Sequence, residues 1–211
     1  MSILENIAEA LKTGRAPDVS KLVNEALADD ISAEAILNEG LIAGMNTVGV
    51  LFKSGKMYVP QVLIAARAMY AGLDILNPIL TAQAVDPLGV VAIGTVKGDM
   101  HDIGKNLVAM MMEGAGIKII DLGTNVTPDK FISAVNNDGA QIVAMSALLT
   151  TTMQEMKVTI DAIEAAGIRD KVKIMIGGAP ITQEYADEIG ADGYTADAAS
   201  AAEMACEFLK K

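Results

Sequence analysis

The sequence contains one histidine, one cysteine and no tryptophan among its 211 residues. A single cysteine excludes an internal disulfide and a zinc site built on paired cysteines, and it fits a reducing cytoplasm. An ordinary zinc site needs three or four protein ligands, so one histidine without a second such partner excludes that site as well. Cys206 falls in a predicted C-terminal helix and is interpreted as an inert thiol of the core.

Positively charged residues are also outnumbered. The sequence has 16 lysines and arginines against 27 aspartates and glutamates, which gives a formal net charge of −11. Without a basic stripe, nucleic acid is not an expected partner. The N-terminus is amphipathic and has no long apolar run, so we expect no signal peptide. No stretch of about 18 apolar residues is free of charge, so we expect no membrane span. These features predict a cytoplasmic protein with small-molecule or protein partners.

The chain changes character near residue 85. Before it, apolar residues recur at helical spacing in four runs, which predicts a four-helix bundle. The fourth helix is predicted from Pro60, suited to a first turn, to about Leu76. Thr81–Pro87 has the composition of a linker. We therefore expect a helical domain over residues 1–85 and a second domain over residues 86–211.

In the second half, short apolar runs alternate with helical patterns. The predicted strands are 88–96, 117–123, 141–146, 172–178 and 191–196. The predicted helices are 102–114, one that opens at Thr127-Pro128-Asp129, 151–166, 181–189 and 198–209. This alternation predicts an α/β fold, a doubly wound five-stranded parallel sheet of flavodoxin-like (Rossmann-like) order 2-1-3-4-5.

The sole histidine, His101, lies in the segment GDMHDIG directly after the first predicted strand. Ligands of such sheets bind at the carboxyl ends of the strands. Asp99 is close enough to accept a hydrogen bond from Nδ1 and leave Nε2 as a lone-pair donor, as carboxylates do for metal-binding histidines. Gly98 and Gly104 would allow a bulky group to approach. The alternative is a structural or solvent-exposed histidine.

A lone histidine is an adequate protein ligand where a macrocycle supplies the in-plane nitrogens, as in haem or a corrin. Haem favours a deep apolar pocket with aromatic side chains, and only 3% of these residues are aromatic. A corrin carries polar amides and a nucleotide tail, so it needs a polar surface and a long groove. The composition therefore favours a corrin over haem.

The loops after the third and fourth predicted strands suit such a tail. Ser146, Thr150 and Thr152 place hydroxyls after the third strand, and Gly177-Gly178 removes side chains after the fourth. The alternatives are local: the hydroxyls would cap the next helix, and the glycines would form a strand-to-helix turn.

The segment GDMHDIG carries the DxHxxG signature of cobalamin-binding domains, and two further elements of that family follow it in order. The matching positions are Asp99, His101 and Gly104, then SxL at Ser146 and Leu148, then GG at Gly177 and Gly178. Residues 55–69, GKMYVPQVLIAARAM, resemble the end of the helical cap domain of cobalamin-dependent methionine synthase. They equally resemble the small corrinoid proteins of methyltransferase systems. The resemblance covers nearly the whole chain.

This resemblance implies cobalamin bound base-off, with His101 as the lower axial ligand of cobalt. Asp99 would hydrogen-bond to His101, and Thr152 would complete a relay in which methionine synthase has a serine. Helices of the cap would cover the upper face of the corrin. Candidate cap residues are Met57, Tyr58 and Met69. The implied cofactor-binding residues are Gly98, Asp99, Met100, His101, Asp102, Ile103, Gly104, Ser146, Leu148, Thr150, Gly177 and Gly178.

The resemblance further implies a methyl carrier that is not catalytic alone. A substrate-specific methyltransferase would load the methyl group onto cobalt from a methylamine, methanol, glycine betaine or an aryl methyl ether. A second methyltransferase would pass it to a thiol, a tetrahydropterin or tetrahydrofolate. A reductive activase is a further expected partner.

Other readings of the same signature stay open. A small subunit of an adenosylcobalamin-dependent mutase shares DxHxxG but lacks the helical cap. A cobalamin-dependent sensor would need a DNA-binding module, for which the acidic N-terminal region is unsuited. A phosphorelay receiver domain shares the fold and the acidic first loop, but it needs an aspartate where Ser146 stands.

Overall fold

A computed structural model describes residues 2–83 and 85–210. By packing, the chain separates into two compact units. The first contains the residues up to Asp86 together with Gly114–Gly116, and the second contains Pro87–Glu113 and the residues from Ile117 onward. The main body of the first unit is helical, and the second holds the sheet.

Among the described residues of the first unit, four helices are present, as predicted. They are α1 (Ile3–Lys12), α2 (Ala16–Ala28), α3 (Ala33–Lys53) and α4 (Val59–Ala82). A capping box begins α1: the Ser2 hydroxyl accepts the Glu5 N–H at 3.2 Å, and the Glu5 carboxylate accepts the Ser2 N–H at 2.7 Å. The helices pack through fully buried aliphatic side chains that include Ile7, Leu11, Val19, Val23, Leu41 and Leu76.

Two details of these helices differ from the prediction. A π-helical segment, Ile36–Ile42, lies inside α3 and has no counterpart in the regular helical spacing. The prediction that α4 ends near Leu76 and that a linker starts at Thr81 was wrong, because the helix continues through Pro78 to Ala82. Leu80 is 7% exposed and lies one turn beyond Leu76, so burial of both side chains favours the longer helix.

Two helical stretches of this unit, Ala33–Lys53 and Val59–Ala82, are long and apolar enough to cross a membrane by length and composition. Core helices of soluble proteins pass the same test. Both stretches contain charged residues, Glu34, Glu39 and Lys53 in the first and Arg67 and Asp74 in the second, so neither is a charge-free run of about 18 apolar residues. Inside the unit, α3 packs against α1, and α4 packs against α2.

The second unit confirms the predicted sheet, with all strands parallel and in the order β2-β1-β3-β4-β5. The strands are β1 (Val90–Thr95), β2 (Lys118–Asp121), β3 (Ile142–Ser146), β4 (Lys173–Gly177) and β5 (Gly193–Tyr194). The helices are α5 (Ile103–Gly114), α6 (Pro128–Asp138), α7 (Gln154–Ala165), α8 (Gln183–Ile189) and α9 (Ala198–Leu209).

Three neighbouring strands end level with one another. Thr95 of β1 pairs with Ser146 of β3, which pairs with Gly177 of β4. The loops that follow these three residues therefore start from one edge of the sheet. On α9, Cys206 is half-buried rather than a core residue, and burial raises the pKa of its thiol.

Candidate functional site

The loop that joins β1 to α5 carries His101. Its first turn, Val96–Asp99, is closed by a 3.1 Å hydrogen bond from the Asp99 N–H to the Val96 carbonyl. Gly98 has φ +82° in this turn, a left-handed conformation that glycine adopts without steric cost. The turn places the Asp99 side chain in the interior, fully buried, and leaves the His101 side chain 50% exposed.

The Asp99 carboxylate accepts hydrogen bonds from two loops. Its Oδ1 accepts Nδ1–H of the His101 ring at 2.7 Å and the backbone N–H of His101 at 3.1 Å. Its Oδ2 accepts the Thr152 hydroxyl at 2.7 Å and the N–H groups of Leu148 and Leu149 at 2.8 and 3.2 Å. Asp99, His101 and Thr152 are therefore brought together as a connected chain of hydrogen bonds at the junction of β1 and β3.

These contacts set the charge of Asp99. Burial raises the pKa of the carboxyl, but the hydrogen bonds from Leu148, His101 and Thr152 outweigh burial and hold that pKa well below its usual range. Asp99 is therefore ionised at neutral pH, and an ionised acceptor at Nδ1 favours the imidazole tautomer whose Nε2 keeps its lone pair. Among the described residues, no group hydrogen-bonds to Nε2 of His101.

Exposed apolar side chains lie in the loops after β1 and β3 and at the start of α5. Met100 and Ile103, on either side of His101 in the chain, are 68% and 78% exposed, and Leu148 and Leu149 are each more than 40% exposed. Large apolar side chains exposed together mark a surface that a ligand or partner covers. Gly104 adds open space, since a Cβ built there meets no atom within 4 Å.

The hydroxyls after β3 do not cap the next helix. α7 begins at Gln154 rather than Thr151, and its N-cap residue, Met153, makes no capping bond through its side chain. Thr152 donates to Asp99 and to the Leu149 carbonyl instead. In the described part of the chain, Ser146, which is half-buried, and the exposed Thr150 make no hydrogen bond through their hydroxyls.

Gly177 is the last residue of β4 and Gly178 follows it. Glycine is present at these two positions for different structural reasons. Gly178 has φ +137°, and a Cβ there would lie 1.8 Å from the Ala147 carbonyl oxygen, so backbone packing alone requires glycine. At Gly177 the nearest atom to such a Cβ is the Thr195 oxygen at 3.7 Å. The turn interpretation therefore explains Gly178, whereas no close contact requires glycine at position 177.

Asn125, in the loop after β2, is a site residue that was not predicted from the sequence. Its N–H donates to the Asp99 carbonyl at 2.9 Å, and its Oδ1 accepts the Gly98 N–H at 2.8 Å. Its φ of +53° is one that asparagine tolerates better than most residues. Asn125 thus clamps the turn that carries Asp99. The sequence signal that could have indicated this residue is an asparagine directly before the Val-Thr-Pro segment at the start of α6.

An ion pair between the buried Lys105 and the exposed Asp121 was also missed. Lys105, 3% exposed in the first turn of α5, places its Nζ 2.6 Å from both carboxylate oxygens of Asp121 and 2.7 Å from Oδ1 of Asn106. Asp121 ends β2 and also accepts the Gly123 N–H at 2.8 Å. The pair fixes the start of α5, directly after the GDMHDIG loop, to the end of β2.

A metal ion held by protein ligands alone does not suit this site, because the described residues contain no group of three or more His, Cys, Asp and Glu side chains able to hold one. The donor set is a single exposed imidazole nitrogen, oriented by a buried carboxylate and bordered by apolar side chains and open glycines. These residues fit a flat metal complex that brings its other ligands, as a corrin does.

Two different family models, each described as a B12 binding domain, match this chain, one at residues 89–203 and the other at residues 3–77. The dimethylamine corrinoid protein 3 of Methanosarcina acetivorans is 42% identical over 207 residues. Those residues cover 98% of this chain and 97% of that protein.

Solved structures show the same likeness. A novel cobalamin-binding protein from Desulfitobacterium hafniense matches with a TM-score of 0.81 and 28% identity, over 97% of this chain and 98% of that one. A chain of the methanol:cobalamin methyltransferase complex from Methanosarcina barkeri matches with a TM-score of 0.88 and 28% identity, over 99% of this chain and 80% of that one. The resemblance drawn from the DxHxxG, SxL and GG elements is confirmed.

Proposed function

Because the chain belongs to the family of B12-binding corrinoid proteins, methyl carriers of methylamine and methanol methyltransferase systems, we propose that it takes its methyl group from a methylamine. Dimethylamine is the first candidate. The relative named for dimethylamine is 42% identical over 98% of this chain, whereas the chain from the methanol complex is 28% identical. We further propose that a second methyltransferase passes the methyl group to a thiol or a tetrahydropterin.

His101 is proposed as the lower axial ligand of a corrinoid bound base-off, and one observation carries this assignment. The Nδ1–H of His101 lies 2.7 Å from the buried Asp99 carboxylate, while Nε2 has no hydrogen-bond partner among the described residues. When bound, the corrinoid supplies a cobalt ion that accepts and releases a methyl group. Asp99 holds the ring proton on Nδ1, and Thr152 holds the Asp99 carboxylate from the other side.

The other loop residues are assigned to the cofactor tail. The Ser146 hydroxyl has no hydrogen-bond partner among the described residues, and at Gly177 no side chain covers the edge of the sheet. Leu148 and Thr150 are exposed in the loop between them. We propose that these residues accept the nucleotide tail that leaves cobalt in a base-off complex.

Residues 1–85 are proposed as a cap domain and residues 86–211 as the cobalamin-binding domain. Support comes from the B12 binding domain match at residues 3–77, because a small mutase subunit lacks a cap. Substrate recognition is assigned to partner methyltransferases, and a reductive activase is proposed as a third partner. We propose that the protein acts in the cytoplasm.

Reconstitution with hydroxocobalamin tests the axial ligand. The wild type is expected to bind about one corrinoid per chain with a histidine-ligated, base-off visible spectrum. His101→Ala should lose that signature, and Asn137→Ala, on the far end of α6, should keep it. A wild type that binds no corrinoid, or a His101→Ala variant with an unchanged spectrum, would contradict the assignment.

A further inference from the structure

Thr95 is a fully buried threonine at the end of β1, and its hydroxyl reaches across the loop to His101. The Thr95 Oγ1 donates to the His101 carbonyl oxygen at 2.7 Å. A buried hydroxyl needs a partner, and here the partner is the backbone of the residue that presents the imidazole.

The backbone of Thr95 is itself held on both sides. Its N–H donates to the Gly123 carbonyl at 2.9 Å, and its carbonyl accepts the Val126 N–H at 2.9 Å. In the sheet it pairs with Ser146 of β3. Because threonine is branched at Cβ, few side-chain rotamers are open to it. The hydroxyl therefore extends from a fixed point of the sheet.

His101 is consequently held at three atoms. Its carbonyl accepts from Thr95, while its N–H and its Nδ1–H both donate to Oδ1 of Asp99. Asp99 alone would orient the ring but would leave the following peptide free to turn. The hydrogen bond from Thr95 fixes that peptide as well.

We propose that Thr95 is a positioning residue for the axial ligand, which fixes the backbone of His101 so that Nε2 is presented at one distance from the sheet. This inference rests on the proposed role of His101. It makes the sheet edge, rather than the loop, the element that determines how closely the imidazole approaches the cobalt.

The first part of the test needs no corrinoid. Because His101 is the only histidine, protein labelled with ¹³C at the histidine carbonyl gives one NMR resonance. Thr95→Val removes the donor at nearly constant volume, and the resonance should move upfield. Thr95→Ser should restore its position. Thr159→Val is the matched control, since Thr159 is also buried and donates to a backbone carbonyl, that of Glu155, at 2.7 Å. An unmoved resonance in Thr95→Val overturns the proposal.

The second part uses full-length protein loaded with hydroxocobalamin and reduced to the cob(II)alamin form. In protein grown with ¹⁵N-histidine, the His101 nitrogen splits each cobalt line of the paramagnetic resonance spectrum into a doublet, whereas the cofactor's own ¹⁴N base gives a triplet. The doublet therefore reports the histidine-bound fraction. Thr95→Val should retain corrinoid but weaken histidine ligation about 10-fold, with Thr95→Ser and Thr159→Val close to wild type. Equal ligation in Thr95→Val and wild type overturns the inference. If Thr95→Val does not fold, the Thr95→Ser variant decides the question. Histidine ligation equal to that of the wild type in Thr95→Ser supports the role of the hydroxyl. Loss of histidine ligation in Thr95→Ser overturns the proposal. Absence of the ¹⁵N doublet in the wild type would instead refute His101 as ligand.

Discussion

The Thr152 hydroxyl donates a 2.7 Å hydrogen bond to Oδ2 of Asp99, a carboxylate whose other oxygen accepts the ring Nδ1–H of His101. One buried side chain therefore connects the loop after β3 to the only histidine of the protein. A change at Thr152 therefore acts on the same carboxylate that holds the His101 ring.

Loss of the Thr152 hydroxyl should destabilise the protein. Thr152→Val leaves Oδ2 of Asp99 with one donor fewer, and we expect the free energy of unfolding to fall by about 1–3 kcal/mol. Thr152→Ser keeps the donor and should cost less than about 1 kcal/mol. Urea unfolding measures both. Thr151→Val, at the exposed neighbouring position, is the control; an equal loss there would show that the hydroxyl on Asp99 is not the cause.

Asp99→Asn should be more severe and should alter the response to acid. An amide cannot accept all the hydrogen bonds that the carboxylate receives, and we expect a loss of about 2–4 kcal/mol at pH 7. Because folding lowers the pKa of Asp99, its ionised form stabilises the fold above the unfolded pKa of about 3.9, and this contribution is lost as the pH falls.

The variant should therefore lose less stability than the wild type as the pH falls below about 4, as measured by urea unfolding at each pH. Asp102→Asn, three residues along the same loop, provides the comparison, since Asp102 is exposed and accepts only a 3.3 Å bond from Asn106. Parallel pH profiles for wild type and Asp99→Asn would refute the low pKa of Asp99.

Two glycine substitutions should separate folding from ligand binding. In Gly178→Ala the new Cβ would meet the Ala147 carbonyl oxygen at 1.8 Å in a backbone of φ +137°, so we expect a loss of about 3 kcal/mol or more. In Gly104→Ala the Cβ meets nothing within 4 Å. That variant should match or exceed the thermal stability of the wild type while its affinity for hydroxocobalamin falls. Unchanged affinity would show that the corrin does not approach Gly104.

Much of this site was predictable because its chemistry is local in sequence. The two-residue spacing of Asp99 and His101 suffices for their hydrogen bond, and alternating strands and helices predict an edge where β1 and β3 meet. The role of Thr152 beside Asp99 was predicted from the resemblance to a family and not from residue spacing, because nothing in the sequence distinguishes Thr152 from Thr150 or Thr151.

The rest depends on contacts that the sequence does not reveal. The bonds of Asn125 to Gly98 and Asp99 cross between two loops, and they form only once β1 and β2 are paired. The partner of Lys105 is 16 residues away in the chain, at Asp121. Likewise, helical spacing cannot show that α4 passes through Pro78, because only the burial of Leu80 makes that continuation favourable.

Isotopic labelling of the only histidine tests the central claim most directly. Protein grown with ¹⁵N-histidine and loaded with cobalamin in its cob(II)alamin form contains ¹⁵N only in His101 side-chain and backbone positions. If Nε2 of His101 is the axial ligand, the nitrogen splitting in the paramagnetic resonance spectrum should change from a triplet with ¹⁴N-histidine to a doublet with ¹⁵N-histidine. A triplet that persists after labelling would mean that the cofactor's own base still binds cobalt, and would contradict the account.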